Sequence, residues 1–562
     1  MAKTLRYTLV AILIIAALLR FWGISGGDVT NDEVFYAFRA IGLMDFDHAE
    51  FQTTPWEWFD PGIPGWAKIS FHDHPPLVFL VQHVFIKLLG ENPIAFRLPS
   101  ALLGVASVYL LYLLGTLLFS RSAGLVGAAI LAVTVNNVAL SRMGLQEPYV
   151  IFFMLLTLYF FLKGLRQDRY FLWSGIFLGL GLLTKYNTFI LAPILFSYLL
   201  FFRRDLIFNK YLWLGGLAAF IFFSPVIFYN FKMYQATGHF DFQFSYILDQ
   251  DVPEWHDAPG KKIGTLAERV KDFLPFIFYT NSWSTLLLFG ASFPAFLGAL
   301  LKKSKETWQK FAVPLLFLFW LIVLIVGFIG LSFRFVSMLT PFMALFLAVP
   351  LSRIIKGIRE RFRVSVTAVA GAVVLLLLFL FEIFYSVNSQ LIEYPRGPQN
   401  LLWSSIRYEN YNWGYDDLGR YFKKEFEGRM PAFVFDMQYK FLEELRDRVL
   451  KKEAARDQAR YPAVIIHYGN LDDGAKLWNL DRLMTYHGWP VLSLKDYFLL
   501  QKEKGSDFFI KSGFKYYYFV WQTNIVVGEE FRSLVEGGTP NVITNKRGDR
   551  AFVVYKKVLE GK

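Results

Sequence analysis

The chain has 562 residues, of which 55% are hydrophobic and 19% aromatic, and its formal net charge is +12. Apolar windows of about 20 residues recur along it, which predicts a polytopic α-helical membrane protein and excludes an ordinary soluble enzyme. The absence of cysteine excludes disulfides, thiolate metal sites and cysteine nucleophiles. In a membrane protein, positive charge is typical of cytoplasmic loops, so no nucleic-acid partner is expected.

Twelve apolar segments are candidate membrane spans. They cover residues 5–22, 75–90, 97–119, 123–140, 148–165, 170–184, 187–202, 211–230, 283–301, 311–330, 334–350 and 366–388. The N-terminus, with Lys3 and Arg6, is expected inside the cell, and the other basic connections fall on the same side only if one early segment does not cross. Segment 75–90 is short and opens with two prolines, so we predict an interfacial helix there and eleven crossings overall.

This topology predicts two domains. A transmembrane domain over 1–388 would carry two long external loops, 23–96 and 231–282. The tail, 389–562, is more polar, and alternates strand-like runs such as "PAVIIHYG" with amphipathic helical stretches such as "RDRVLKKEAARDQAR". We therefore predict an extracytoplasmic, soluble α/β domain at the C-terminus.

The predicted outer face collects ionisable side chains from three loops. The first loop has the adjacent acids Asp32 and Glu33 and the run "HDH" at 72–74, the next has Glu147, and the third has His239 and His256. Charged groups near a membrane cost free energy unless they are paired or used. Any one of them is explained as a solvated loop charge, but their coincidence in three loops indicates a polar site.

Five short motifs occur in a fixed order through the first half of the chain. They are "DE" at 32–33, "HPPL" at 74–77, "RLP" at 97–99, "QEP" at 146–148 and "GLLTKYN" at 181–187. This ordered set resembles the glycosyltransferase C superfamily, specifically its protein O-mannosyltransferase and aminoarabinose transferase families. The resemblance covers residues 1–390 and agrees with the topology obtained without it.

The resemblance implies an inverting glycosyltransferase. Such an enzyme moves a sugar from a polyprenyl-phosphate donor lipid to a hydroxyl of a protein, lipid or glycan acceptor. The reaction takes place on the extracytoplasmic side of the membrane, here expected to be a prokaryotic plasma membrane. It needs a base for the acceptor proton and positive charge or a metal for the leaving phosphate.

The resemblance assigns Asp32 as the catalytic base, with Glu33 tuning or sharing that role. A helix N-cap or first-turn acid is the alternative reading of Asp32, because "TNDE" precedes an apolar run. The expected substrate-binding residues are His74, Arg97, Glu147, Lys185 and Arg334. For Arg334 the alternative is an arginine anchored at the membrane interface.

A divalent metal ion, Mg, Mn or Zn, is also implied by the resemblance. Aminoarabinose-transferase-like members pair an acid before "KPPL" with a histidine in the later long loop. The matching acid is Asp73, and the histidine is His239 or His256, with His239 preferred because "GHFDFQ" resembles the family's "EHFQ". His72, His74 and Glu147 are further candidate ligands.

The chain departs from both families. His74 stands where the aminoarabinose branch has lysine, "DEVFY" replaces "DEARY", and the large central insertion of many mannosyltransferases is absent. The donor sugar, the acceptor and the choice between undecaprenyl and dolichyl carriers therefore stay open, as does the role of the tail in binding the acceptor or covering the cavity. A secondary transporter or lipid flippase is the alternative function, and it would place its polar groups near the middle of the membrane.

Overall fold

The computed structural model describes residues 2–47, 53–255, 263–301, 305–361, 366–406, 412–456, 458–469 and 471–559. By internal contacts the chain forms two compact units. The first unit comprises residues 1–25, 47–53 and 65–408, and the second comprises 26–46, 54–64 and 409–562. Segments 26–46 and 54–64, which the sequence assigns to the first external loop, thus group with the C-terminal region.

Among the described residues of the first unit, the regular secondary structure is helical, apart from one isolated bridge between Gln399 and Trp403. Its longer helices are Ala2–Phe21, Leu77–Leu89, Pro93–Leu118, Arg121–Val133, Val135–Ser141, Glu147–Gly164, Tyr170–Leu182, Leu191–Phe202, Lys210–Thr237, Phe242–Ile247, Leu266–Thr280, Trp283–Leu301, Lys305–Leu324, Thr340–Arg361 and Val366–Gln390. Shorter helical turns are Gly65–Lys68, Tyr186–Ile190, Arg204–Leu206, Pro253–Trp255, Ile325–Ile329, Phe333–Val336 and Ser337–Leu339. Leucine, phenylalanine and alanine side chains from most of these helices form one apolar core.

Within the described residues, seven helices are long and apolar enough to cross a membrane, or eight if one bent pair counts as a single span. Three apolar helices are shorter, namely Leu77–Leu89, Tyr170–Leu182 and Tyr186–Phe202. The protein is therefore an integral, multi-pass membrane protein. The count of eleven crossings stays a prediction.

The predicted continuous span 123–140 is wrong in one respect, because its helix bends by 63° at Thr134. The Thr134 hydroxyl donates to the carbonyl of Ile130, a contact that often bends helices. The bend frees backbone carbonyls that lie inside the apolar unit. Arg20 donates to those of Leu131 and Ala132, and Ser386 donates to that of Val133. The bend is stable because the backbone carbonyls that lose their partner in the helix accept hydrogen bonds from these side chains.

A second buried arginine terminates the first helix, Ala2–Phe21. Arg142 Nη1 donates to the carbonyls of Leu19 and Trp22 at 3.0 and 2.8 Å, and Nη2 donates to that of Gly23 at 3.1 Å. These carbonyls have no partner further along the helix. The positive φ of Gly23, 60°, turns the chain away at this point.

The second unit combines helices and strands. Its helices are Asp32–Gly42, Pro55–Trp58, Tyr415–Glu425, Lys440–Ala454, Asp473–Lys476, Leu477–Asp481, Arg482–His487, Leu494–Lys504, Phe508–Lys511 and Glu529–Val535. Its strands are β1 (Arg429–Pro431), β2 (Ala459–Tyr461), β3 (Ala463–His467), β4 (Val491–Ser493), β5 (Tyr516–Gln522), β6 (Thr539–Thr544) and β7 (Arg550–Val558). Helix Asp32–Gly42, which carries the predicted acids, is called the acid helix below.

Five strands of the second unit form a mixed sheet in the order β4-β3-β5-β7-β6. Strand β3 is parallel to β4 and β5, β7 is antiparallel to β5 and β6, and β1 and β2 form a separate parallel pair. Alternate residues of β3 enter different cores, with Ile465 on one face and Ile466 on the other. The continuous apolar run of β3 is explained because both faces of this strand are covered.

Candidate functional site

A buried ion pair lies in the first unit between two of the predicted substrate-binding residues. The Lys185 Nζ lies 2.6 Å from the Glu147 Oε1, and the two residues are 9% and 1% exposed. Arg334 acts electrostatically on the same carboxylate, and the Lys185 Nζ lies 5.0 Å from the centre of the Phe335 ring. Lysine and arginine cations of this kind bind carboxylate and phosphate oxygens in proteins.

The local turn after helix Tyr170–Leu182 positions Lys185. The Thr184 hydroxyl donates to the carbonyl of Gly181 at 2.5 Å, and the Lys185 amide donates to the same carbonyl at 3.2 Å. The backbone N–H of Leu77, the last residue of "HPPL", donates to the carbonyl of Leu183 at 3.0 Å. Two of the sequence motifs, 74–77 and 181–187, are therefore joined by a backbone hydrogen bond.

Next to Lys185, the Tyr186 side chain joins a buried polar group around Asp241. The Asp241 Oδ2 accepts hydrogen bonds from the Tyr186 hydroxyl at 2.5 Å and the Asn230 amide at 2.9 Å. Its Oδ1 accepts from the backbone N–H of Phe244 at 2.9 Å. Burial raises the pKa of the Asp241 carboxyl to about 6, although these hydrogen bonds oppose the shift.

Histidines and acids gather on the adjacent segment 72–74. The Asp73 carboxylate lies 3.0 Å from the His74 Nδ1 and 3.8 Å from the His72 Nδ1, and the His72 Nε2 lies 3.4 Å from Asp47. The carbonyl of His72 accepts from the backbone N–H of Phe242 at 2.8 Å, which links this group to the Asp241 loop.

His239 lies in the same unit and packs on the same aromatic ring as His72. The centre of the Trp255 ring is 4.9 Å from the His239 ring and 5.7 Å from the His72 ring. The Trp255 indole donates to the carbonyl of Thr53 at 3.0 Å, which fixes the ring. The His239 Nδ1 lies 2.8 Å from the carbonyl of Phe240, so the neutral tautomer keeps its lone pair on Nε2, the arrangement typical of a histidine ligand.

The chemistry of these donors fits a divalent metal ion. Ligand atoms of His72 and Asp73 lie within 4.8 Å of each other, and carboxylate and imidazole groups suit first-row divalent metals. Of the predicted ligands, Asp73 and His239 are in the first unit, and His256 lies outside the described residues. His72, an alternative ligand in the sequence analysis, has its Nδ1 3.8 Å from the Asp73 carboxylate.

Three further predicted residues have the following surroundings, each within its own unit. Arg97, nearly fully buried, donates from Nη1 to the carbonyl of Ile24 at 3.1 Å and so binds the backbone that follows the first helix. Asp32 and Glu33 are the first two residues of the acid helix, in the second unit, where Glu33 is completely buried. Asn31 before them has a φ of 55°, a positive value that residues other than glycine rarely adopt. Asp32 is thus a first-turn acid, as its alternative reading expects.

Sequence reasoning did not identify the supporting residues Tyr186, Asn230 and Trp255. Nothing in the spacing of these three residues marks them in the sequence. The signal that could have found Tyr186 is its place directly after Lys185 within "GLLTKYN".

Two solved structures share this architecture over essentially the whole chain. ArnT from Cupriavidus metallidurans bound to undecaprenyl phosphate aligns with a TM-score of 0.54 at 15% identity and covers 100% of both chains. The archaeal oligosaccharyltransferase AglB from Archaeoglobus fulgidus, in complex with an inhibitory peptide and a dolichol-phosphate, aligns with a TM-score of 0.50 at 13% identity, covering 99% of this chain and 74% of AglB. The chain therefore shares the fold of ArnT and AglB.

Sequence comparison gives a narrower match. Residues 73–229 match the family model of dolichyl-phosphate-mannose-protein mannosyltransferases, which confirms the resemblance drawn from the motifs. The "Putative mannosyltransferase YkcB" of Bacillus subtilis (strain 168) is 27% identical over 203 residues, or 36% of this chain. The matched region spans about a quarter, 26%, of that relative's length.

Proposed function

We propose that this protein is a glycosyltransferase that moves a sugar from a polyprenyl-phosphate donor to an acceptor hydroxyl. The buried Lys185–Glu147 pair, with Arg334 beside it, is the observation that carries the proposal. Lysine and arginine cations held in an apolar helical unit suit the phosphate of a lipid whose tail lies in the membrane. Both residues of the pair also fall inside the segment matched by the mannosyltransferase family model.

In this proposal Lys185 and Arg334 bind the donor phosphate, and Glu147 holds the Lys185 ammonium in place. His74 and Arg97 are assigned to the same substrate from their motifs. As the bond between the anomeric carbon and the phosphate oxygen breaks, the electron pair stays with the phosphate. Fixed cations stabilise that growing negative charge without reorganising, which lowers the barrier.

The acceptor side of the reaction is assigned to the acid helix. Asp32 takes the proton of the acceptor hydroxyl, and the resulting oxygen attacks the anomeric carbon opposite the leaving phosphate, which inverts the configuration. Glu33, the buried neighbour, tunes or shares this role. The products are a glycosylated acceptor and a polyprenyl phosphate.

The location of the reaction follows from charge. With the basic connections in the cytoplasm, the loops that carry Asp73, Glu147 and His239 face outward, and so does the site. We therefore propose an extracytoplasmic reaction at a prokaryotic plasma membrane. The acceptor is a protein, lipid or glycan; the AglB structure, which has the same fold, is a complex with an inhibitory peptide.

A divalent metal is proposed at the histidine-rich group. Asp73 and His239 would hold it, with His72 in reach of Asp73 and His256 as the further candidate from the sequence. A bound metal would supply positive charge for the departing phosphate. The ring contacts with Trp255 would hold His72 and His239 in place as ligands of that metal.

The proposed function is tested by incubating membranes that contain the protein with radiolabelled polyprenyl-phosphate hexose and an acceptor extract. We expect label to move from the donor to a new species, and the leaving lipid to be a monophosphate. If the intact lipid-linked sugar moved between the two leaflets of the vesicle membrane and no sugar reached an acceptor, the protein would be a flippase. That result would contradict the proposal.

The metal assignment predicts that exhaustive EDTA treatment lowers transfer activity and that added Mn²⁺, Mg²⁺ or Zn²⁺ restores it. The physical reason is the loss of positive charge opposite the leaving phosphate. An Asp73→Asn variant should need a higher metal concentration for half-maximal activity. Full transfer activity after chelation would refute the assignment of a metal ion to this site.

The raised pKa of Asp241 predicts a pH effect on stability. Because folding raises this pKa from 3.8 to about 6, the protonated carboxyl stabilises the fold below about pH 4, and this contribution is lost as the pH rises through about 6. The full effect is about 3 kcal/mol. Thermal unfolding of the detergent-solubilised protein should show this slope.

Asp241→Asn should flatten the pH dependence and destabilise the protein by about 1–3 kcal/mol, since its amide cannot accept from all three donors. Asp251→Asn, at an exposed position in the same loop, is the matched control and should keep the wild-type slope. An unchanged slope in Asp241→Asn would refute the assignment.

A further inference from the structure

We propose that the C-terminal region positions the acid helix for catalysis, and that Asp28 and Asp60 are the positioning residues. This inference rests on the proposed function, because it concerns how Asp32 is held. All of the contacts that support it lie within the second unit, which contains the acid helix, both aspartates and residues 409–562.

Asp28 binds the start of a helix from the far end of the chain. Its Oδ2 accepts from the backbone N–H groups of Trp413 at 2.5 Å and Gly414 at 3.1 Å, and its Oδ1 accepts from that of Asp416 at 2.9 Å. These donors surround the first turn of helix Tyr415–Glu425, where N–H groups have no partner within the helix. Through these hydrogen bonds Asp28, which is completely buried, caps the N-terminus of a helix that lies 385 residues further along the chain.

Asp60 repeats this arrangement on a second helix. Its two carboxylate oxygens accept from the N–H groups of Lys440 at 2.6 Å and Phe441 at 2.8 Å, the first residues of helix Lys440–Ala454. The Trp56 ring packs against that of Phe441 with centroids 5.5 Å apart. The contact joins positions separated by 380 residues.

The acid helix itself contacts a third helical segment of the same unit. The Tyr486 hydroxyl donates to the carbonyl of Phe38 at 2.6 Å, and the rings of these two residues are 5.0 Å apart. At the catalytic end of the helix, a Cβ added to Gly474 would lie 3.3 Å from the backbone nitrogen of Asn31. Glycine at position 474 therefore leaves room for the backbone before Asp32, where a larger residue would make a tight contact.

Contacts with the C-terminal region are made by residues that precede the acid helix in the chain and by residues that follow it. Asp28 precedes Asp32 by four residues, and Asp60 follows the end of the helix in the chain. A helix of 11 residues is marginally stable alone, so its orientation depends on what it packs against. The backbone direction at Asp32, and with it the direction of the carboxylate, is set by residues after 408.

The test compares Asp28→Asn and Asp60→Asn with Asp549→Asn, an exposed acid of the same unit. An asparagine amide presents an NH₂ group to at least one of the N–H donors, so it cannot satisfy the helix start. We expect kcat to fall about tenfold in either variant. The KM for the donor lipid should not change, because the residues assigned to its phosphate lie in the first unit. Asp549→Asn should match wild type.

Hydrogen exchange supplies a readout that does not depend on activity. In Asp28→Asn and Asp60→Asn, amides of residues 32–42 should exchange at least about tenfold faster, while those of helix Glu147–Gly164 keep their protection. Tyr486→Phe removes one hydrogen bond but keeps the ring, and should give a smaller change of the same kind. If the aspartate variants are not produced as folded protein, Tyr486→Phe tests whether the C-terminal region holds the acid helix.

Unchanged exchange in residues 32–42 would overturn the inference, and so would equal loss of protection in both units, since that would indicate general unfolding. If the wild-type protein transfers no sugar from the lipid donor, the proposed function fails. The exchange pattern then still reports whether Asp28 and Asp60 hold the acid helix.

Discussion

Replacing Asp32 by asparagine should lower the rate of sugar transfer by about 10²–10⁴-fold, the typical contribution of a general base. The amide keeps the size of the carboxylate but cannot take the acceptor proton. Binding of the donor lipid should remain near its wild-type affinity, because the cations assigned to the phosphate, Lys185 and Arg334, are untouched. Single-turnover transfer from labelled donor, measured beside equilibrium donor binding, separates these effects.

The control for Asp32→Asn must remove a first-turn acid without touching the proposed chemistry. Glu529→Gln does so, because Glu529 lies in the first turn of helix Glu529–Val535 in the same unit. Both variants lose a favourable interaction of about 0.3–1 kcal/mol with a helix dipole. If Asp32 is only a helix-start residue, the two variants should behave alike, and a wild-type transfer rate in Asp32→Asn would exclude it as the base.

The helices of the first unit could be predicted from the sequence because a membrane helix needs a long, uninterrupted run of apolar residues. Windows near 93–118, 147–164 and 366–390 are uniform in composition, and the structure has helices there. The bend at Thr134 was not accessible. It has no proline to mark it, and it depends on Arg20 and Ser386, which bind the freed carbonyls from other helices.

The grouping of segments 26–46 and 54–64 with the C-terminal region was equally hidden. The partners of Asp28 and Asp60 are backbone N–H groups, which every residue except proline has and which therefore leave no pattern in a sequence. The sequence could show only that two isolated acids lie in the first loop. Their role as caps emerges when the helix starts at 415 and 440 are placed beside them.

The candidate site was predicted in parts. Glu147 and Lys185 each belonged to a recognisable motif, so both could be named as substrate-binding residues. Their ion pair could not be predicted, because the two residues are 38 positions apart and the packing of two helices decides the distance. The Asp241 group was still less visible, since Tyr186, Asn230 and Asp241 come from three different segments.

Replacing Lys185 by methionine should have two separable effects. It removes a cation assigned to the donor phosphate, and it leaves the Glu147 carboxylate buried with less compensation. Breaking a buried pair in this way typically costs about 3–5 kcal/mol. We therefore expect a lower unfolding temperature for the detergent-solubilised protein and a loss of donor binding of about tenfold or more.

The double variant Lys185→Met with Glu147→Gln separates stability from binding. Neutralising the carboxylate should recover much of the lost stability, because no unpaired charge remains, while donor binding should stay weak. Glu147→Gln alone should bind donor, since Lys185 and Arg334 both remain, but with a less ordered ammonium group. If the double variant recovered both stability and donor affinity, the Lys185–Glu147 pair would be a structural contact of the helical unit and the phosphate would have to bind elsewhere. Recovery of stability alone is the result that the proposed chemistry requires, because only Lys185 then accounts for the missing affinity.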